Sequence, residues 1–415
     1  MLMCDTFFMP AAEASFFGKN SDRNPAEAQV IRAVPKREPA ATSSVGARRF
    51  ELEDRGYALL LSCPAWMQGA EMGVNERGVA IGNEAVFSRF KRPADGVLGM
   101  DFLRAALAHA DSAESARDAL IALTERYDQG GNGAYKGKLV YDNSYLIAGP
   151  DGAYVLETAG KRWAWRQLDG PAAISNAYSL EDDYKRLDPA TRKAIAPVNE
   201  RMACLDEADA GRVADKESWR AYVADRFMAR MTAGESRRRA LTSILAAAAE
   251  SGGGRQAAFA ILRAHAAPDP ADPARARNVC CHDRDNWGNA TTGSMLLERR
   301  AGGAAVAWFT GASYPCLNLF KPALIDGGFV TLWEGYPLGD DAKAADYWER
   351  RRKSAGAAAK KPALAAGVAA ELAARQAELG AAVDRLLAAG GAANPEAVAL
   401  ARSEIAGIVS AWEGR

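Results

Sequence analysis

The chain has 415 residues, of which 49% are hydrophobic and 25% charged, the composition of an ordinary globular protein. Its 52 Lys and Arg residues balance 52 Asp and Glu residues, so no overall positive charge favours nucleic acid or an anionic membrane surface as a partner. No stretch approaches the roughly 18 consecutive apolar residues of a membrane span, so we expect a cytoplasmic protein whose six cysteines are thiols.

The first half of the chain is predicted to be mainly β-strand, with one helical block. Short apolar runs at residues 4–8 and 15–18 flank a turn, as in a β-hairpin. Residues 101–127 carry apolar side chains at helical spacing. Strand-like runs at 144–148 and 153–156 then flank the turn signal Gly-Pro-Asp-Gly.

Residues from about 180 to 275 are charged and largely helical in pattern, and we assign residues 4–345 to one domain. The composition becomes Ala-rich after Lys353, so residues 346–415 form a predicted C-terminal helical region. Asn394-Pro395 is typical of a helix start. We expect an antiparallel helical pair packed either on the core or on a second copy of the chain, which makes a homo-oligomer a candidate assembly.

Histidine-based catalysis has little support in this sequence. The chain has three histidines, His109, His265 and His282, and no G-x-S-x-G motif from which a serine triad could begin. Cys280-Cys281-His282 has no second ligand pair at zinc-finger spacing, and adjacent ligands rarely complete a tetrahedron. We therefore expect neither a metal site nor a cofactor.

An N-terminal nucleophile removes the need for histidine. A free α-amine titrates near pH 8, so it can act as the base for the side chain of its own residue. Cys4 would become such a terminus once Met1, Leu2 and Met3 are removed as a propeptide. The mechanism also needs a carboxylate that orients the nucleophile and neutral donors that hold the oxyanion.

Several segments contain candidates for these roles. Cys4-Asp5-Thr6-Phe7-Phe8 is followed, after a turn, by Phe17-Gly18-Lys19-Asn20-Ser21-Asp22-Arg23. Three further segments follow in order, at residues 72–86, at 155–160 with 174–176, and at 291–295 with 320–322. In joint order these segments resemble the secernin and cysteine dipeptidase family of N-terminal-nucleophile (Ntn) hydrolases, which is related to penicillin V acylase and bile salt hydrolase. The resemblance covers roughly residues 4–350.

The resemblance implies site residues one by one. Cys4 matches the nucleophile, and Asp22 matches the acidic residue that orients the thiol and the amine. Asn176 and Asn83 match amides that donate to the oxyanion, although Asn83 also suits a simple turn position.

The cations that the resemblance implies are less sharply placed. Related acylases carry an arginine at the position of Lys19, so either Lys19 or Arg23 fills that role, unless both are solvated turn charges. Arg237 resembles a distal arginine that supports the site, with Arg238 and Arg239 as alternatives on the same helix.

The fold that the resemblance implies is α+β, a four-layer αββα Ntn-hydrolase sandwich with a C-terminal helical appendage. The implied activity is hydrolysis of a small amide through a Cys4 acyl-enzyme after autocatalytic removal of the leader, with a dipeptide or short peptide as the expected substrate. Two alternatives stay open. One is an acylase for N-acylated small molecules of the penicillin V or acyl amino acid type, and the other is a secernin-like protein that acts through protein contacts.

Overall fold

A computed structural model describes residues 3–202, 218–265, 278–282, 288–359 and 362–414. Met1 and Leu2 of the predicted propeptide lie outside these residues. The strands are β1 Met3–Pro10, β2 Ala14–Arg23, β3 Gln29–Val34, β4 Ser43–Val45, β5 Arg48–Phe50, β6 Leu59–Pro64, β7 Met72–Asn75, β8 Ala80–Val86, β9 Asp142–Gly149, β10 Gly152–Ala159, β11 Arg162–Gln167, β12 Ala172–Ser175, β13 Arg186–Leu187, β14 Ala290–Arg300, β15 Ala305–Phe309, β16 Lys321–Ile325 and β17 Phe329–Thr331. The helices are α1 Gly99–His109, α2 Ala113–Arg126, α3 Pro189–Met202, α4 Trp219–Val223, α5 Arg226–Met231, α6 Gly234–Glu250, α7 Arg255–Leu262, α8 Asp341–Ala359, α9 Pro362–Ala388 and α10 Pro395–Glu413.

Two antiparallel sheets form the centre of the molecule. The first is seven-stranded in the order β12-β1-β2-β14-β15-β16-β17, and the second is eight-stranded in the order β13-β11-β10-β9-β8-β7-β6-β3. The strand that carries Cys4, β1, is an inner strand with a partner on each side.

Three apolar cores separate four layers. Residues such as Phe17 and Leu146 form the core between the two sheets. The outer face of the eight-stranded sheet packs on α1 and α2, for example through Ile147. The outer face of the seven-stranded sheet packs on α6, α7, α9 and α10. The predicted α+β architecture with αββα layers is therefore confirmed.

Side-chain alternation along β1 decides what surrounds the candidate nucleophile. Phe8 belongs to the core between the sheets, whereas Phe7 packs toward the helices. Cys4 has the parity of Phe8, so its thiol faces the second sheet. A Cβ on Gly18 of β2 would collide with the Phe7 ring, so this close approach requires glycine.

The C-terminal helices pack on the same chain. Leu379 of α9 and Ile405 of α10 are fully buried in the core that contains Phe7 of β1. These helices thus form part of the outer helical layer. The helix α8 begins at Asp341, before the predicted boundary at residue 345; the division into two regions and the homo-oligomer both stay predictions. Within the described residues, no helix has the length and apolarity needed to cross a bilayer.

Candidate active site

The thiol of Cys4 lies buried between the two sheets. Cys4 is 3% exposed, and its Sγ lies 4.0 Å from Oε2 of Glu71, which precedes β7. The other Glu71 carboxylate oxygen accepts a hydrogen bond from Arg23. Arg23 also pairs with Glu27 at 2.6 Å, so it sits between two carboxylates.

Lys19 of β2 lies on the same inner face as Cys4. Its Nζ donates to Glu84 Oε2 at 2.9 Å and to the backbone oxygen of Asn83 at 2.6 Å, and both side chains of the Lys19–Glu84 pair are fully buried. Thr6 of β1 donates to the other Glu84 oxygen. The structure therefore brings both candidate cations into the site, with Lys19 paired to Glu84 and Arg23 paired to Glu71.

The charged side chains on this inner face do not balance. Lys19 and Arg23 face the three carboxylates of Glu27, Glu71 and Glu84. Counted as ionised, this group has one excess negative charge. Because unpaired buried charge is costly, the face is suited to one further cation, such as an ammonium group.

Burial strongly affects the ionisation of the Cys4 thiol. Removal from water raises the pKa of the Cys4 thiol well above its usual range, and the nearby Lys19 ammonium offsets only part of this effect. The thiol is therefore protonated at neutral pH. It needs a base within reach before it can attack a carbonyl.

Asn176, directly after β12, contacts the backbone of Cys4. The Cys4 N–H donates to Asn176 Oδ1 at 2.5 Å, and Asn176 Nδ2 donates to the Ala85 carbonyl at 2.9 Å. The side chain thus presents its oxygen to Cys4, which differs from the predicted role as an oxyanion donor. This oxygen instead holds the nitrogen of the Met3–Cys4 peptide.

Asp22 and Arg237 meet on the opposite face of the first sheet. Arg237 of α6 donates to Asp5 and to Asp22, each at 2.5 Å, and is fully buried. Thr291 donates to Asp22 Oδ1 at 2.6 Å. Asp22 thus contacts Arg237 and Thr291 rather than the thiol, which differs from the predicted direct role, although its backbone pairs with Met3 beside the Met3–Cys4 bond.

The structure selects one arginine of the three candidates on α6. Arg237 is 1% exposed and binds the two aspartates, whereas Arg238 and Arg239 pair with Glu235 near the surface. One guanidinium between two carboxylates leaves excess negative charge. Burial, with Asp22 nearby, raises the pKa of Asp5 to about 7 although Arg237 opposes the shift.

Asn83 does not face the thiol. It alternates with Glu84 along β8, so its side chain points toward the α1 layer, where Nδ2 donates to Asn143 Oδ1 at 3.0 Å. The predicted role of Asn83 as an oxyanion donor is not supported by this placement. Its backbone oxygen, which accepts from Lys19, is the part of Asn83 that belongs to the site.

Glu71, Glu84 and Asp5 were not among the predicted catalytic residues, although Glu71 and Glu84, which flank residues 72–83, are candidates from the sequence for anchoring a substrate amine. A signal for Glu84 existed, because a carboxylate within the apolar run 79–86 needs a buried partner. No comparable signal pointed to Asp5.

A second group of chemically reactive side chains lies apart from this site. His265, Cys280, His282 and Cys316 place one ligand atom each within 4.8 Å of one another. The prediction of no metal site, made from the local spacing around Cys280, differs from this arrangement because the remaining two ligands come from distant parts of the chain.

Comparison with solved structures gives distant matches. No protein-family model matches the sequence. Two solved structures with a similar course of the chain are variants of the conjugated bile acid hydrolase from Clostridium perfringens. One has 14% sequence identity and a TM-score of 0.44, covering 76% of this chain and 91% of that chain. The other has 13% identity and a TM-score of 0.46, covering 77% and 92%. Sequence identity and TM-scores this low assign no activity to the chain.

Proposed function

We propose that the protein is a cysteine N-terminal-nucleophile amide hydrolase that cleaves dipeptides or other short peptides through a Cys4 acyl-enzyme. The observation that carries the proposal is the Cys4 thiol, buried 4.0 Å from Glu71 while its backbone nitrogen is held by Asn176. A protonated thiol and a fixed α-nitrogen on one residue are the two parts that this chemistry needs.

The first step frees the α-amine of Cys4. The thiol attacks the Met3 carbonyl, the C–N bond breaks as the nitrogen takes the thiol proton, and water hydrolyses the resulting thioester. Met3 leaves with a carboxylate and Cys4 keeps its thiol and a new amine. Asn176 Oδ1, which already accepts from this nitrogen, would then hold the amine in place.

Substrate hydrolysis reuses the same groups. The amine accepts the thiol proton, the sulfur attacks the substrate carbonyl, and the amine passes the proton to the leaving nitrogen. Water then attacks the thioester, which releases the acid and restores the thiol. The excess negative charge of Glu27, Glu71 and Glu84 supports a substrate that carries an ammonium group, as a peptide with a free amino end does.

An acylase for N-acylated compounds is the second candidate. An apolar cluster of Met67, Ala85, Phe87, Met100 and Tyr141 adjoins the site, since the Ala85 carbonyl binds Asn176. Such a cluster suits an apolar acyl group. The two candidates differ in whether the substrate group beside the scissile carbonyl is charged or apolar.

Intact mass measurement combined with a substrate panel tests the proposal. We expect purified protein to begin at Cys4 and to hydrolyse dipeptides faster than N-acyl amino acids or penicillin V. The Cys4→Ala variant should keep its leader and lose turnover, whereas Cys63→Ala, which removes another buried thiol, should process and turn over normally.

Three outcomes would count against parts of the proposal. Full activity in protein that retains Met1–Met3 would exclude the N-terminal-nucleophile mechanism. Faster cleavage of N-acyl compounds would favour the acylase. Correctly processed protein that leaves the whole panel untouched would favour a secernin-like role in protein contacts.

A further inference from the structure

Two cysteines and two histidines converge at a single point outside the candidate active site. One side-chain ligand atom from each of His265, Cys280, His282 and Cys316 lies within 4.8 Å of the other three. His282 Nε2 lies 3.2 Å from Cys316 Sγ. Zinc bonded to nitrogen and sulfur at its usual distances gives tetrahedron edges of about 3.3 to 3.8 Å. The separation of His282 and Cys316 is therefore close to that of a metal-bound pair, and the other separations exceed such edges by about 1.5 Å at most.

The cluster lies at the edge of the core. Cys280 is fully buried and Cys316 is 8% exposed, whereas His282 is half-buried and His265 is exposed. The rings of His265 and His282 lie 5.0 Å apart and nearly perpendicular, so they do not stack on each other. The four ligands come from the protein, so no coordination position is left for a substrate.

The four side chains come from three segments of the chain. His265 lies shortly after α7, and Cys280 N–H donates to the Ala264 carbonyl at 3.0 Å, which joins the first two segments. Cys316 lies in the single-turn 3₁₀ helix Pro315–Leu317, which follows Tyr314 in the left-handed region at φ 58°. Non-glycine residues seldom adopt that conformation, so the turn is held at a cost in backbone energy.

We propose that His265, Cys280, His282 and Cys316 bind one zinc ion in a structural, tetrahedral site. Two thiolates neutralise the ion, and the softness of the sulfur ligands favours zinc over magnesium or calcium. The ion would link three segments that are distant in sequence. This proposal is independent of the proposed hydrolase activity.

The site is also connected to the residues behind the nucleophile strand. Cys281, between two of the ligands, donates its thiol to Asp22 Oδ2 at 3.1 Å and its N–H to Thr291 Oγ1 at 2.9 Å. Asp22 in turn binds Arg237. A bound ion would therefore fix the segment that packs against the Asp22–Arg237 pair.

Metal analysis of the full-length protein tests the site directly. We expect purified protein to contain about one zinc ion per chain by mass spectrometry of the metal, the content of a structural site. The double variant Cys280→Ser with Cys316→Ser should lose it. Cys281→Ser is the matched control, since it removes an adjacent buried thiol that is not a ligand, and it should keep the zinc.

A spectroscopic measurement on the wild-type protein tests the site even if the double variant does not fold. Cobalt(II) added to metal-stripped wild-type protein should give the visible absorption of a tetrahedral ion with sulfur ligands, and Cys281→Ser should give the same spectrum. Absence of this absorption after cobalt(II) is added to metal-stripped wild-type protein would overturn the proposal. So would a disulfide between Cys280 and Cys316, seen as a loss of two hydrogens in the intact mass, or equal zinc content in the double variant.

Discussion

Oε2 of Glu71 lies 4.0 Å from Sγ of Cys4, with both side chains buried between the two sheets. The other Glu71 oxygen is engaged by Arg23, so the carboxylate is held in place rather than free to turn away. A fixed negative charge at this distance opposes formation of the thiolate and attracts an ammonium group. The new amine of Cys4 and the amine of a substrate both meet that description.

Glu71→Gln should lower kcat/KM for a dipeptide more than it weakens binding of a substrate that carries no charge. Loss of a charge-assisted contact costs about 1.5 to 3 kcal/mol, so kcat/KM for a dipeptide should fall by about 10- to 150-fold. Glu235→Gln is the control, because it removes a carboxylate that pairs with Arg238 and Arg239 near the surface, away from this face. Steady-state kinetics of both variants give the comparison, and equal losses would remove the special role of Glu71.

Breaking the Lys19–Glu84 pair from one side should destabilise the protein strongly. Lys19→Met leaves the Glu84 carboxylate buried without its cation, which costs about 3 to 5 kcal/mol of unfolding free energy. The double variant Lys19→Met with Glu84→Gln removes both charges and should recover much of this loss. Urea unfolding of the two single variants and the double variant measures the coupling, and purely additive losses would contradict the pairing.

Asp5 should make the native state less stable as the pH rises toward neutrality. Its usual pKa of 3.8 is raised to about 7, so the native state binds this proton more tightly than the unfolded chain. The unfolding free energy therefore falls as the pH rises from about 4 to about 7, and this group adds no further change above that range.

Asp5→Asn tests this dependence, because the amide stays neutral throughout. The variant should show a flatter pH profile of unfolding free energy between pH 4 and 7 than wild type, as measured by urea unfolding across the range. Asp118→Asn, which changes an exposed carboxylate on α2, should keep the wild-type slope. A parallel profile for Asp5→Asn would show that this carboxyl titrates normally.

The C-terminal helices should behave as part of the main core. Leu379→Ala removes a fully buried side chain of α9 and should cost about 2 to 5 kcal/mol. Leu400→Ala, on α10 but 74% exposed, should change stability by less than about 0.5 kcal/mol. Thermal and urea unfolding compare the pair. A separate, earlier unfolding transition for Leu379→Ala would instead indicate an independent C-terminal unit.

Local patterns in the sequence predicted the strand that carries Cys4, whereas the layered fold was predicted from the resemblance to the Ntn-hydrolase family. The run 4–8, the turn and the polar segment at 19–23 correspond to β1 and β2, which bring Cys4, Lys19 and Arg23 together. The alternation of side chains along a strand can also be predicted from the sequence. Which of the two faces points to the site cannot. Asn83 and Glu84 are neighbours with opposite directions, and only the packing of the second sheet shows that Glu84 faces Lys19.

The sequence could not predict which residues from distant segments come together in the fold. Three consecutive arginines occur on α6, and only the contact with Asp5 and Asp22 selects Arg237. Likewise, Cys280 and His282 lacked a second ligand pair in their own segment. Cys316 and His265 reach them through the packing of α7 and a turn, which no spacing rule describes.

The position of β1 inside its sheet has a consequence for the mature chain. Chain ends usually fray, because the last residues lack partners on at least one side. Here the residues after the proposed cleavage point are paired on both flanks, Cys4 with Ser21 and Asp5 with Ser175. A terminus created at Cys4 would therefore be held in place by the sheet from the start. It would lose little conformational entropy when a substrate binds. In practical terms, an affinity tag placed ahead of Met1 should be discarded during maturation, and a tag after Arg415 should remain.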